Sequence, residues 1–383
     1  MQQNEKNSIV IVGDTFPNNK NLKHFCSGNI DSLFGEKICD VFAKADLTIC
    51  NLEGALSDNP DRCSKAGPVL VAPTKAVTAY KNLGIDYCAL ANNHITDGGH
   101  QGVIDTMDTL THAEIQYIGA GCNENEITHF CFCRLGGMNV CIYNVSETFF
   151  NRPSVQRGGA WLYDEYLVCR EISELKQKCD YLIVIYHGGI EYFRFPSPEI
   201  KKRFHRMADN GANMILSQHT HCIGCEEWYN GAYLLYGQGN FLFRDYSVGV
   251  TDEGLILEIV FTKGKIEIKK HLVKCIDKTF VRYDDSQDLT AFEHRSMLLN
   301  DEEYVKKEFQ RFCNRKITRY LAACRNKSLF LKGCRKLFPS LVEWYLIKTF
   351  RLKNLLSILC VLYSEQLREQ HKVGMEVLLG DKL

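Results

Sequence analysis

Three histidines, His187, His219 and His221, close two short apolar runs, Tyr181-Leu-Ile-Val-Ile-Tyr-His187 and Ala212-Asn-Met-Ile-Leu-Ser-Gln-His219-Thr-His221. Imidazole is the commonest metal-donor side chain, and a His-X-His pair can turn two rings into one small volume. Other apolar runs end in the same way: residues 8–12 on Gly13-Asp14, residues 47–50 on Asn51-Leu52-Glu53, and residues 87–91 on Asn92-Asn93-His94. Carboxylate, amide oxygen and imidazole together suit a divalent first-row cation such as Mn, Fe or Zn better than Ca or Mg, which prefer oxygen shells. A carboxylate such as Glu53 can bridge two cations, and metals about 3.5–4 Å apart clamp the attacking and leaving oxygens of a phosphoryl displacement. His94 followed by Asp97 reads as an acid with its orienting carboxylate, a pairing that holds one tautomer and lets the ring protonate a leaving alkoxide. Each residue alone has an ordinary explanation as a turn residue, helix cap or core histidine. Together, at the ends of successive strand-like runs, they point to one metal centre.

Short runs rich in Ile, Leu and Val read as buried parallel strands, and open α/β sheets hold ligands just past the carboxyl ends of such strands. Helices are expected between the runs: around 35–44, over 73–84 with Pro73 near the start and Gly84 at the stop, and over 102–113, 165–178 and 199–210. A hairpin is expected over 131–145, turning at Gly136-Gly137. Beyond Gly239-Asn240-Phe241 the pattern becomes antiparallel, with strands at 255–262 and 266–270 and a Lys263-Gly264 turn. Alternation of this kind implies a layered α/β domain over residues 1–285, followed by a helical region over 286–383.

The 383 residues exceed one small domain, and their 45% hydrophobic and 24% charged content is ordinary for a globular protein. Formal net charge is zero, but residues 301–383 hold 17 Lys and Arg against 9 Asp and Glu, so the residues before them are acidic. The 18 cysteines would suit a secreted disulfide scaffold, yet residues 1–8 show no basic segment followed by an apolar one. Cys50, Cys88, Cys131, Cys133 and Cys141 lie in strand-like runs, as free thiols of a reducing cytoplasm do. Cys222-Ile-Gly-Cys225 is a lone C-x-x-C and reads as structural. The apolar stretches long enough to span a membrane are broken by charges, so no spanning helix is expected. Between Arg311 and Lys353, 12 basic residues and a single acid, Glu343, interleave with Phe330, Leu331, Leu337, Phe338, Leu341, Trp344, Tyr345 and Phe350. Such a segment can pack on the acidic domain, lie on an anionic membrane surface or grip a polyanion. Packing on the domain is favoured, peripheral contact with the inner membrane surface comes next, and nucleic acid has only charge in its support.

In order and spacing the chain resembles the CapA-type capsule and poly-γ-glutamate synthesis proteins, a branch of the calcineurin-like metallophosphoesterase superfamily. The resemblance runs over residues 8–245 and rests on Gly13-Asp14, Ala45-Asp46-Leu47 with Asn51-Leu52-Glu53, Ala91-Asn-Asn-His94-Ile-Thr-Asp97 and Gly119-Ala-Gly121. Downstream it rests on His187-Gly-Gly-Ile-Glu191-Tyr192, Gly211-Ala212 with His219-Thr-His221, and Gly237-Gln-Gly-Asn240-Phe241. It implies a four-layer α-β-β-α sandwich with a C-terminal helical appendage and two divalent cations, of the Mn, Fe or Zn class, at the sheet ends. Asp14 would take one cation and Glu53 would bridge; Asn93, His187 and His219 would hold the other, with His221 returning to the first. His94 would be the acid, oriented by Asp97, while Asn92, Glu191 and Asn240 would stand behind the ligands or touch substrate. The implied activity is metal-dependent phosphoester hydrolysis, a metal-activated hydroxide attacking phosphorus, in capsule or exopolysaccharide assembly. Its substrate would be phosphorylated or polymeric, and a polymer synthase would be its partner. A non-hydrolytic accessory subunit of such a synthase is the alternative, and a nucleic-acid phosphodiesterase a lesser one. Phe16 stands where metallophosphoesterases carry the histidine of Asp-X-His, and Gly188 replaces an aromatic residue that often follows the strand-end histidine, which would open that wall. Family members commonly carry an N-terminal membrane anchor; none is read here, so a cytoplasmic protein is expected.

Overall fold

The computed structural model describes residues 7–61, 67–149, 151–243, 249–262, 265–324 and 364–379. The chain divides into two compact units, residues 1–63 with 69–305 and residues 64–68 with 306–383. The first unit opens with four parallel strands, β1 (Ser8–Thr15), β2 (Leu47–Leu52), β3 (Tyr87–Ala89) and β4 (Gln116–Ile118). The chain then builds a second sheet from β5 (Phe130–Leu135), β6 (Met138–Ser146), β7 (Tyr181–His187), β8 (Met214–Gln218), β9 (Glu226–Tyr229) and β10 (Ala232–Leu235), ordered β9-β10-β8-β7-β6-β5. It returns to the first sheet with β11 (Asn240–Leu242), β12 (Glu253–Thr262), β13 (Lys265–Ile276) and β14 (Phe280–Tyr283). That sheet reads β14-β13-β12-β1-β2-β3-β4, with β11 beside the end of β1.

Side-chain alternation along the strands makes the layers. Ile9, Ile11 and Ile49 of the first sheet face Ile142, Ile183, Ile185 and Leu216 of the second, forming a core between the sheets. Their neighbours Val10, Val12 and Leu52 point the other way. There they meet helices α1 (Leu22–Ser27), α2 (Ile30–Phe34), α3 (Glu36–Lys44), α4 (Val77–Leu83) and α5 (Gly99–His112) through Phe25, Leu33, Ile38, Tyr80 and Val103. On the far side, Leu182, Val184 and Tyr186 meet α6 (Glu165–Lys176) and α7 (Pro198–Asp209) through Ile172 and Phe204. The result is a four-layer α-β-β-α sandwich. Helix α8 (Thr290–Leu298) carries the first unit past residue 285, where the sequence places a boundary, because Phe292 packs into the core between the sheets.

The second unit contains α9 (Glu302–Cys324) from Lys306 onward and α10 (Glu365–Leu379). The apolar residues from Phe330 to Phe350 and the Lys263-Gly264 turn lie outside the described residues. Among the described residues no helix is long and apolar enough to cross a membrane. Strands β9 and β14, absent from the sequence reading, are short and half-exposed, so they show neither an apolar run nor clean alternation. Cys222 and Cys225 are buried free thiols, and burial pushes the Cys222 thiol up to about 11, so it stays protonated at neutral pH.

Strand β1 changes partners part-way along. From Ser8 to Ile11 it pairs antiparallel with β12; at Asp14 and Thr15 it pairs parallel with β11, and its register on β2 slips between Val12 and Asp14. Gly13 sits at the change, where an added Cβ would lie 2.2 Å from the Gly239 carbonyl oxygen. This bulge re-aims Asp14 into the seam between the sheets. Gly13→Ala should therefore lower the urea midpoint by the equivalent of about 1–3 kcal/mol, the usual cost of overpacking. Equal midpoints for variant and parent would mean that β1 and Gly239 separate without penalty.

Candidate metal centre

The carboxyl ends of β1, β2, β3, β7 and β8 meet at one seam, and each delivers a polar side chain to it. Asp14 comes from the bulge in β1, Glu53 from just after β2, and Asn93 and His94 from the turn after β3. His187 ends β7, and His219 and His221 follow β8. Asp14, Glu53 and His187 are 0% exposed, while Asn93, His94 and Asn240 keep 5–6%.

Local backbone conformation explains how the second sheet presents two imidazoles at once. His219 and His221 have φ of 86° and 54°, left-handed conformations that cost a non-glycine residue about 1–3 kcal/mol. Those two kinks, on either side of Thr220, bring the rings to a centroid separation of 5.8 Å. The His219 N–H donates to Asp14 Oδ2 at 3.1 Å, tying this turn to the first sheet. His221 Nδ1 lies 3.1 Å from Asp14 Oδ2 and 3.0 Å from Asn240 Oδ1, so two acceptors hold its proton on Nδ1 and turn Nε2 toward Glu53 Oε1, 3.9 Å away. The Asn240 amide is itself fixed by donating to Thr251 O at 3.2 Å.

Glu53 Oε1 lies 3.6 Å from His187 Nε2, which is 2.9 Å from Asn93 Oδ1. Donor atoms of three groups fall within 4.8 Å of one another: Asp14, Glu53 and His221; Glu53, His187 and His219; and Glu191, His219 and His221. With metal–ligand bonds of about 2.1 Å, ligands on one cation lie about 3.0 Å apart at right angles and about 3.4 Å apart in a tetrahedron. Glu53 Oε1 stands 3.6–3.9 Å from the His187 and His221 nitrogens, a little beyond that spacing, and the donor set is carboxylate, amide and imidazole. The residues present therefore fit divalent cations. His94 Nδ1 stands 2.6 Å from Asp97 Oδ2, which also accepts the Leu70 N–H at 2.6 Å, while Nε2 faces Glu53 Oε1 at 3.9 Å.

Burial shapes the electrostatics. Burial pushes the His187 imidazole well below its ordinary value, and the neighbouring His219 adds to this, so it is held as the neutral ring that ligates. Burial alone would raise the Asp14 carboxyl, but the hydrogen bond and charge of His221 and the hydrogen bond from the Asn51 amide hold it well below the usual carboxylate range. For His221 burial lowers and Asp14 raises, and Asp14 wins.

The family model for the bacterial capsule synthesis protein PGA_cap matches residues 8–245. The chain belongs to that family. The capsule biosynthesis protein CapA of Bacillus anthracis is 25% identical over 264 residues, 67% of this chain and 64% of that protein. The PGA biosynthesis protein CapA of Bacillus subtilis (strain 168) is 24% identical over 230 residues, 59% of this chain and 60% of that protein. The chain thus spans less than two thirds of the length of either relative. A phosphatase of Mycoplasma pneumoniae shares 15% identity with a TM-score of 0.45 over 74% of this chain and 98% of its own, a likeness too distant to assign function.

Within the PGA_cap segment the sequence reading passed over Glu147. It follows β6, is 2% exposed, donates its N–H to His187 O at 3.0 Å, and places Oε1 3.8 Å from His219 Nε2. The signal was present: Glu147 closes the apolar run of β6 as Glu53 closes that of β2, but that run reads as half of a hairpin. Glu147 also corrects the expectation that Gly188 opens a wall. A Cβ on Gly188 would lie 2.6 Å from the Tyr186 ring and 3.0 Å from Glu147 Oε2, so those two side chains fill the space. Asn92 differs from a substrate contact: its amide donates to Asn51 Oδ1 at 3.1 Å and Leu52 O at 2.8 Å, and its oxygen accepts the His94 N–H at 3.1 Å. It braces the turn that carries His94.

His219→Ala should lower the metal bound per chain, counted by elemental analysis, with an unchanged far-UV circular dichroism spectrum. His219→Gly should lose the same metal yet be about 1 kcal/mol more stable than the alanine variant, because glycine accepts positive φ without strain. Full metal retention in either variant would remove His219 from the donors.

Proposed function

We propose that this chain is a metal-dependent hydrolase of the phosphoesterase type, acting in capsule or exopolymer assembly. The observation that carries the reading is the His94–Asp97 pair, set beside a buried carboxylate–imidazole cluster with His94 Nε2 3.9 Å from Glu53 Oε1. Asp14, Glu53 and His221 would hold one divalent cation; Glu53, Asn93, His187 and His219 would hold a second. When bound, such cations supply activation of the attacking water and neutralisation of phosphate charge. Asp97 fixes the ring of His94 and keeps its Nδ1 engaged, so that Nε2 is the atom that gives a proton to the departing oxygen. Asn92 and the Leu70 N–H hold the two members of this pair in place, and Tyr186 and Glu147 fill the space beside Gly188. The family's association with capsule synthesis supports a phosphorylated glycan, a lipid-linked carrier or another phosphoester of polymer assembly as substrate, with a polymer synthase as partner.

The test is turnover on two substrate types. His94→Asn should keep its metal and slow hydrolysis of an alkyl phosphoester by about 10²–10⁴-fold, while an aryl ester, whose leaving group departs without a proton, loses much less. Equal losses on both would assign His94 a structural role. Bound metal with no turnover of any phosphoester would move the reading to a non-hydrolytic accessory subunit of a polymer synthase.

A further inference from the structure

Glu191 lies in the loop that follows β7, a half-buried residue on a segment tied closely to the His219-Thr220-His221 turn. Tyr192, with a left-handed φ of 66°, donates its N–H to Thr220 O at 2.8 Å. Ser217 Oγ donates to Gly188 O at 2.9 Å. Gly189, at φ 108°, passes so near the turn that a Cβ there would stand 3.2 Å from Thr220 Cγ2. Held in this way, the Glu191 carboxylate comes within 4.8 Å of donor nitrogens on both His219 and His221. His221 also belongs to the group with Asp14 and Glu53, and His219 to the group with Glu53 and His187, so Glu191 stands between the two positions; with Asn93 beside His187, the one with fewer donors is the Asp14 position.

That position has room for another ligand on chemical grounds. Phe16, two residues after Asp14, sends its side chain into the apolar core beneath the helices, where it is 3% exposed. Its ring lies 2.4 Å from where a Cβ on Gly54 would stand, and its N–H donates to Leu242 O at 2.8 Å, which fixes the backbone in that direction. No side chain at residue 16 reaches the seam from this backbone.

We propose that Glu191 is the carboxylate ligand that completes the Asp14 position, supplied by the β7 loop. The proposal rests on the metal-centre reading above and adds a consequence to it. The two positions would differ in kind: Asp14, Glu53 and Glu191 with His221 make one rich in oxygen, while His187 and His219 with Glu53 and Asn93 make the other richer in nitrogen. Carboxylate-rich positions suit Mn, and imidazole-rich ones suit Zn, so the zinc-over-manganese preference should be smaller at the Asp14 position.

Metal-stripped full-length protein, titrated calorimetrically with MnCl2, tests this without any assay of activity. The parent protein should bind two equivalents. Glu191→Gln should keep one equivalent at unchanged affinity and weaken the other at least tenfold, with Glu191→Asp in between. Asn93→Ala should weaken the opposite equivalent, so that the double variant shows both losses. Two unaltered equivalents in Glu191→Gln, or the same equivalent weakened by both single variants, would overturn the assignment. A parent protein that binds no Mn at all gives a different result, removing the metal-centre reading and this assignment together.

Discussion

A carboxylate taken fully out of water must be met by dipoles or opposite charge, or it loses its proton-free form. Asp14 and Glu53 are both in that position, at 0% exposure on the seam between two sheets. Asp14 is answered by the Asn51 amide at 2.7 Å, the His219 N–H at 3.1 Å and His221 at 3.1 Å. Glu53 is ringed by His187, His94 and His221 at 3.6–3.9 Å. The requirement explains why apolar strands end abruptly in polar residues on both sheets, and why the turn after β8 tolerates two left-handed histidines.

Apolar packing between the sheets has no direction of its own; buried amides supply it. Asn144 accepts the Ala91 N–H at 2.8 Å and donates to Ile185 O at 3.1 Å, joining the turn after β3 to β7. Gln218 donates to Val12 O at 3.2 Å and to Gln238 Oε1 at 3.1 Å, and Gln238 donates to Ile11 O at 2.7 Å. A primary amide offers donors and an acceptor without charge, so it can stitch two backbones together in a dry interface at a fixed register. Without that register, Asp14 and His221 would not meet.

The sequence made most of this legible for a definite reason. A buried strand that ends at a ligand must switch from apolar to polar in one step, and that step marks Asp14, Glu53, Asn93, His187 and His219 without any alignment. The alternation of strands and helices likewise follows from periodicity. Glu147 is hidden because the β6 run reads as a hairpin arm, whose far end ordinarily carries no ligand. Asn144 and Gln218 are not singled out because an amide in an apolar run has no type-specific signature; only tertiary packing selects its partners. Gly188 was misread because the space beside a glycine depends on a neighbour from another strand, here Glu147. Strands β9 and β14 were too short and too exposed to show a period.

The fork in β1 bears on how each molecule is assembled. Strand β1 lies inside its sheet, with β2 on one side and β12, residues 253–262, on the other. Non-local pairing of this kind is repaid only after a long loop has closed, which places the fold among the slow, high-contact-order topologies. On a ribosome, β1 keeps an open edge until most of the first unit has emerged, and an open edge on an Ile- and Val-rich strand is a template for pairing with other chains. The candidate cation site, drawing on residues from Asp14 to His221, is complete only at the end of that sequence of events. On the proposed reading, metal capture would be a late step in the life of the nascent chain, following the closing of the sandwich rather than guiding it.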